Sequence, residues 1–224
     1  MIKISYHGNP YIGIYLRASD KVALVPEDTP HKLRSAIESR LGVAAVSTSL
    51  CGSGLLGIYS AMNSRAVIVP HIAYASEVRQ IRNECGLEVC QIETKNTAIG
   101  NLIACNDCGA IVSEAIEPTN VRKIADALDV EVVRGRIAGY LTVGSACAAT
   151  NKGFIIHNDA SDEDFEMAEG VLKVEGINST VNFGFPFPSY GVVANSNGFI
   201  AGEKCTGIEL MRAEQGLGLS GRRI

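Results

Sequence analysis

The sequence predicts an α/β repeat protein, with five strand-strand-helix-strand units of about 44 residues set around a pseudo-fivefold axis. Three observations carry this prediction. The segment YIGIYLRASDKVALVP (11–26) is echoed by LLGIYSAMNSRAVIVP (55–70), each with Gly-Ile-Tyr, a polar turn and an apolar run ending in Val-Pro. Gly13, Gly57, Gly100 and Gly144 open such segments at steps of 44, 43 and 44 residues. After each segment come a helical pattern and a further short β-rich run, wanting only in the last unit. A fixed period of this size marks a repeat architecture, because a unit this small buries its apolar face only against its neighbours.

Each unit opens on an apolar segment, YIGIYL in the first, and continues through a turn rich in Asn, Ser, Asp or Gly. A β-rich run follows: KVALVP, RAVIVP, GAIVS, GFIIH or GFIAG. Two apolar runs about a short polar turn read as a hairpin. The next segment is helical. In TPHKLRSAIESRL, Thr29 suits the N-cap and Pro30 the first helical position. SEVRQIRNECGL, TNVRKIADAL, SDEDFEMAEGVL and TGIELMRAEQGL hold the equivalent places, with apolar residues three or four apart. Ser76, Thr119 and Ser161 are the expected caps there.

Four units then carry a third strand, in VAAVST, LEVCQI, VEVVRG and KVEGIN. The fifth ends in GLGLSGRRI, which is Gly-rich and then basic. The N-terminal IKIS can supply the missing strand, because Ile2 precedes Gly13 by the 11 residues that separate Val46 from Gly57. The first strand thereby completes the last unit, closes the ring and hides unpaired edges. Residues 1–224 are expected to form one domain, and a chain closed on itself needs no partner subunit, so a monomer is expected. The fifth unit is locally expanded, since Gly184 lies 18 residues before Gly202 where Gly13 lies 13 before Pro26.

Hydrophobic residues make up 46% of the chain, enough for a sizeable core. The net charge of −4 lacks the basic surplus of a surface that tracks phosphates. It suits a basic protein partner or a small substrate equally. No apolar run is long enough for a secretory leader or a membrane span, so a cytoplasmic protein is expected. Seven cysteines, an odd number spread through apolar segments, read as reduced thiols.

Several motifs carry less than they suggest. GSGLLG (52–57) matches a dinucleotide-binding pattern, but it runs into a hairpin rather than a helix, and no acid follows at the right distance. Cys105 and Cys108 form C-x-x-C across a turn, without the second pair a structural zinc site needs. The run NDASDEDFEMAE places carboxylates at a helix start, where they favour the positive end of the dipole.

Fivefold α/β rings of this kind resemble the pentein superfamily, which includes guanidine-modifying enzymes. Those use a Cys nucleophile late in the chain and a His followed at +2 by an acid. Cys205 in EKCTG and His157 in HND match these types, as nucleophile and base. Both also fill ordinary repeat positions, a helix head and a strand end. The longer motifs point elsewhere. AIGNLIACND (98–107), LTVGSACAATNKGFIIH (141–157), STVNFG (179–184) and GIELMRAEQ (207–215) resemble the translation initiation factor 6 family, in its archaeal form. The resemblance runs through all five repeats. It implies a pentein ring that binds the large ribosomal subunit on its intersubunit side, near the sarcin–ricin loop. Contact would be mainly with ribosomal protein and little with RNA, and would sterically block the small subunit. A role in large-subunit biogenesis is implied for eukaryotic members. No catalysis and no cofactor are implied.

The repeat narrows where such a contact lies. The residues after the repeated glycines, Ile14, Ile58, Asn101 and Ser145 with Phe185 in the fifth unit, should share one height on the ring. They differ strongly in chemistry, which suits a face read by a partner. Tyr11, Ile14, Ile58, Asn101, Ser145, Ala146 and Phe187 are therefore the candidate docking residues, with Asn101 foremost. The competing role for Asn101 is a turn cap, and for Ile14 and Ile58 the core. Arg222 and Arg223 are candidates for RNA phosphates.

Overall fold

The structure is a computed structural model that describes residues 2–220. It contains five three-stranded sheets, each with one antiparallel and one parallel pairing. In the first, Arg17–Ala18 runs antiparallel to Val22–Pro26, which runs parallel to Ala44–Thr48. The next three repeat this arrangement around Ala66–Pro70, Gly109–Ser113 and Phe154–Ile156. Every residue of these middle strands is buried. That explains their continuous apolar runs, since a strand covered on both faces has no polar side to show.

A parallel neighbour requires a crossover, and a helix supplies it. The four crossover helices are His31–Leu41, Ala75–Cys85, Pro118–Leu128 and Asp162–Leu172. The fifth sheet is built from both ends of the chain. Val192–Asn195 and Gly198–Gly202 form its hairpin, and Ile2–Ile4 pairs parallel to the latter with Ile2 opposite Ile200. The N-terminal strand therefore completes the last unit as the spacing predicts. Helix Gly207–Gly216 follows it.

One expectation is corrected. The apolar segment that opens each unit is not a long strand. It forms a single helical turn, at Ile12–Ile14, Leu56–Tyr59, Ile99–Leu102, Val143–Ala146 and Pro188–Gly191, before a strand of two to four residues. The repeated glycines explain this. Successive turns pack so closely that a Cβ at Gly57 would overlap the Gly13 carbonyl oxygen, and one at Gly100 the Gly57 carbonyl oxygen. Gly144 meets the Gly100 carbonyl oxygen in the same way, and Gly13 meets that of Ser189. Ser189, not Gly184, thus holds the glycine position in the fifth unit. Its hydroxyl is accommodated by donating to the Cys147 carbonyl at 2.8 Å.

The caps also differ. Ser161 caps its helix as expected, accepting from Asp164 N. Thr29, Ser76 and Thr119 do not cap. Pro30, Tyr74 and Glu117 hold those N-cap positions. At Ala75–Cys85 the work falls to an acid in the first turn, Glu77, whose Oε2 accepts from Tyr74 N at 2.9 Å. The crossover helices His31–Leu41 and Ala75–Cys85 stop at Gly42 and Gly86, both left-handed with φ of 64°.

The core is shared between neighbouring units. Leu24 and Val46 of the first cluster with Val67, Val69 and Ile81 of the second. Ile12 and Val25 of the first cluster with Val193 and Ile200 of the fifth. At the hairpin turns a buried asparagine joins unit to unit. Asn63 Nδ2 donates to the carbonyls of Asn106 and Leu128, Asn106 Nδ2 to those of Thr150 and Leu172, and Asn195 Nδ2 to those of Ser19 and Leu41.

Candidate partner-binding face

The five helical turns touch one another in chain order, and the last, Pro188–Gly191, packs on the first, Ile12–Ile14. Beside them lie the loops that leave each parallel strand, four of which are pinched by an isolated bridge: Tyr6 to Asn9, Leu50 to Ser53, Ile137 to Tyr140 and Val181 to Phe185. Carboxylates hold three of these loops, Asp164 accepting from Ala138 N at 2.9 Å. Glu77 accepts from Ser49 Oγ, Cys51 N and Gly52 N at 2.8–2.9 Å, and Glu209 accepts from Thr180 Oγ1, Phe183 N and Gly184 N at 2.8–3.1 Å. Burial alone would raise the pKa of both glutamates. The donors, backbone N–H groups above all, outweigh it, and both lie below the usual glutamate range.

The candidate residues separate on this face. Tyr11, Ile14, Ile58, Asn101 and Phe187 are half-buried and present part of their side chains to solvent. Among the described residues the Asn101 amide makes no hydrogen bond, so it does not cap its turn. Ser145 and Ala146 are different. Ser145 is 2% exposed and turns its hydroxyl back onto the Thr142 carbonyl, while Ala146 is fully buried in the core cluster that Phe187 covers. Neither offers a side chain to a partner. The fifth equivalent of Ile14, Ile58, Asn101 and Ser145 is Tyr190, which follows Ser189, and not Phe185. The expanded FPFP stretch hid this register.

Sequence reasoning also missed how the aromatic side chains join. Tyr11 packs on Phe185 with ring centroids 4.9 Å apart, Phe185 on Phe187 at 5.8 Å, and Phe187 on Tyr140 at 5.1 Å. Tyr190 stacks on Phe185 at 6.0 Å. This chain of rings spans the fourth, fifth and first units. Tyr140 in this chain is exposed, as are Leu141 and Phe183 beside it, Phe183 to 82%. Large apolar groups held in solvent on a rigid frame are the usual makings of a protein-binding surface. The motifs NFGFPFP and YLTVG held the signal, but only contact between units turns them into one surface.

The pair that matched a catalytic pattern is not assembled as one. Cys205 is 2% exposed, and its Sγ accepts from Asn182 N at 3.2 Å and faces Asn182 Oδ1. Burial raises its thiol pKa, the opposite of what activates a nucleophile. His157 is 1% exposed, accepts from Asp159 N through Nδ1, and lies under Tyr140 and Phe187. Burial lowers its pKa and keeps it neutral. Each side chain has its own partners and neither bonds the other. Cys105 lies in a strand with its Sγ 3.3 Å from the Met62 carbonyl, whereas Cys108 is exposed in the turn. Among the described residues no cluster of His, Cys, Asp and Glu fits a metal ion, and no helix is long and apolar enough to cross a membrane. Arg222 and Arg223 lie outside the described residues.

A protein of Pyrococcus abyssi named translation initiation factor 6 is 37% identical over 222 residues, covering 97% of this chain and 98% of that one. Proteins of the same name from Thermococcus onnurineus and Haloquadratum walsbyi are each 35% identical and are covered to 97% and 96% of their length. The name they share is that of a translation factor, not of an enzyme. A solved dimethylarginine dimethylaminohydrolase, as its adduct with S-methyl-L-thiocitrulline, superposes with a TM-score of 0.48 at 10% identity, over 93% of this chain and 74% of that one. The eIF-6 family model matches residues 1–216, and the chain belongs to that family.

Proposed function

We propose that this protein is a translation initiation factor that binds the large ribosomal subunit and sterically keeps the small subunit from joining it. The observation that carries the reading is the end-to-end similarity to proteins named translation initiation factor 6. The partly exposed rings and Asn101 on one rigid face supply a surface for it. In this reading the five sheets make a closed pentein propeller, and the docking residues are Tyr11, Ile14, Ile58, Asn101 and Phe187, joined by Tyr140 and Tyr190. The partner is chiefly ribosomal protein near the sarcin–ricin loop, met by a protein of mild negative charge. The factor works as a cytoplasmic monomer without a cofactor, and a part in large-subunit biogenesis fits the same contact.

Co-sedimentation with separated ribosomal subunits tests this. The protein should travel with large subunits alone and lower the yield of joined ribosomes. Asn101→Arg, which puts a bulky cation on the third helical turn, should fold normally and lose binding about tenfold. Absence of binding by the folded wild type at low salt would refute the reading. Full binding by Asn101→Arg would remove Asn101 from the contact.

A further inference from the structure

We propose that the cavity beside Arg17 binds one small monovalent inorganic anion, such as chloride. Arg17 lies in the short strand Arg17–Ala18, and its guanidinium donates to the carbonyls of Gly57 and Gly100. Its Nε is buried with no acceptor among the described residues. The side chain lines a cavity of about 50 Å³ together with Met62, Cys105, Cys147, Ser189 and Val193, so that all five units contribute. No carboxylate lines it.

The ionisable groups that act on Arg17 are Cys105 and Tyr190. Burial pushes the Cys105 thiol up to about 12, so it stays protonated and offers no counter-charge. Burial lowers the Arg17 pKa as well, yet a guanidinium keeps its proton in proteins. Asp20 and Asp107 line an adjoining, smaller cavity of about 20 Å³, which shares Ala18, Met62, Cys105, Ala149 and Ala194 with the first, and they are committed there. Asp20 accepts from Asn151 Nδ2 and Ser196 N, and Asp107 accepts from Ser64 N, Ser64 Oγ and Asn151 Nδ2.

Arg17 is half-buried as a residue, but its Nε is enclosed, and a cation facing an interior cavity with no opposite charge is costly until a partner ion removes that cost. One water needs roughly 10–15 Å³ on the same measure, so the cavity has room for a halide and a water. A dianion such as sulfate would bring a second charge that nothing here matches. The anion would thereby tie the centre of the molecule together from all five units.

Protein purified and crystallised with bromide in place of chloride supplies the direct test. A bromide anomalous peak within hydrogen-bonding distance of Arg17 Nε is expected. Density in the cavity with no anomalous signal would overturn the proposal. In solution, the wild-type melting midpoint should be higher in chloride than in glutamate salt of equal ionic strength, because a ligand bound only by the folded state stabilises it. Arg17→Met should lose the difference and the surface control Arg134→Met should keep it. Equal wild-type midpoints in both salts would overturn the proposal, and so would a chloride effect that survives in Arg17→Met. Should Arg17→Met not fold, the two wild-type measurements decide the matter.

Discussion

Replacing Asn106 by Ala should be among the most damaging single changes in the molecule. Asn106 is 4% exposed and makes four hydrogen bonds through its side chain. Nδ2 donates to the carbonyls of Thr150 at 3.0 Å and Leu172 at 2.9 Å, while Oδ1 accepts from Cys108 N at 2.9 Å and Gly109 N at 3.0 Å. The first pair joins the third unit to the fourth, and the second pair shapes the hairpin turn. An intramolecular hydrogen bond contributes roughly 1 kcal/mol net, and a buried group left without a partner costs about 1–3 kcal/mol. Counting about 1 kcal/mol for each of the four bonds, the loss is about 3–5 kcal/mol. For a protein of this size that corresponds to a fall in melting midpoint of about 6–20 °C. Far-UV circular dichroism during heating and in urea measures it. Asn101→Ala, which removes an amide with no hydrogen bond, is the matched control and should stay within about 0.5 kcal/mol. A loss below about 1 kcal/mol in Asn106→Ala would refute the view that these asparagines hold the units together.

Gly100→Ala should cost about 3 kcal/mol or prevent folding, because the added methyl overlaps the Gly57 carbonyl oxygen; urea unfolding reads this. Glu77 and Glu209 are held below the usual glutamate range, so the unfolded chain binds protons first. Their stabilisation is complete above the unfolded pKa of about 4.3 and is lost as pH falls through the folded values. Glu77→Gln should therefore lower stability at pH 7 and flatten its decline below about pH 4.5, checked by urea midpoints across pH. Thiol reagents under native conditions should modify exposed Cys108 first and spare Cys147 and Cys205 until the protein unfolds. Mass spectrometry of labelled peptides decides this, and rapid native labelling of Cys205 would reopen the question of a catalytic cysteine.

Much of the architecture is legible in the sequence, because it rests on local chemistry repeated five times. KVALVP and its equivalents are buried on both faces, and only a covered strand tolerates so continuous an apolar run. The 11-residue spacing from Ile2 to Gly13 assigns the N-terminal strand to the last sheet, because pairing register follows from unit length alone. The family is legible for the same reason, as the long motifs run the length of the chain.

Other features depend on contact between units and only the tertiary structure decided them. YIGIYL reads as a hairpin strand, and the close approach of Gly13, Gly57 and Gly100 to neighbouring backbones makes it a helical turn instead. Ser189, not a glycine, holds that place in the fifth unit, so counting glycines led to Phe185 where packing puts Tyr190. Ser145 and Ala146 share a period with Asn101, but a period specifies height in the fold and not exposure. Burial of those two, and the isolation of Arg17 from any carboxylate, arise from residues far apart in the chain, as Arg17 and Gly57 are at a separation of 40. Local sequence determines which elements form, and the long-range packing of unequal side chains on equal frames determines what each face can bind.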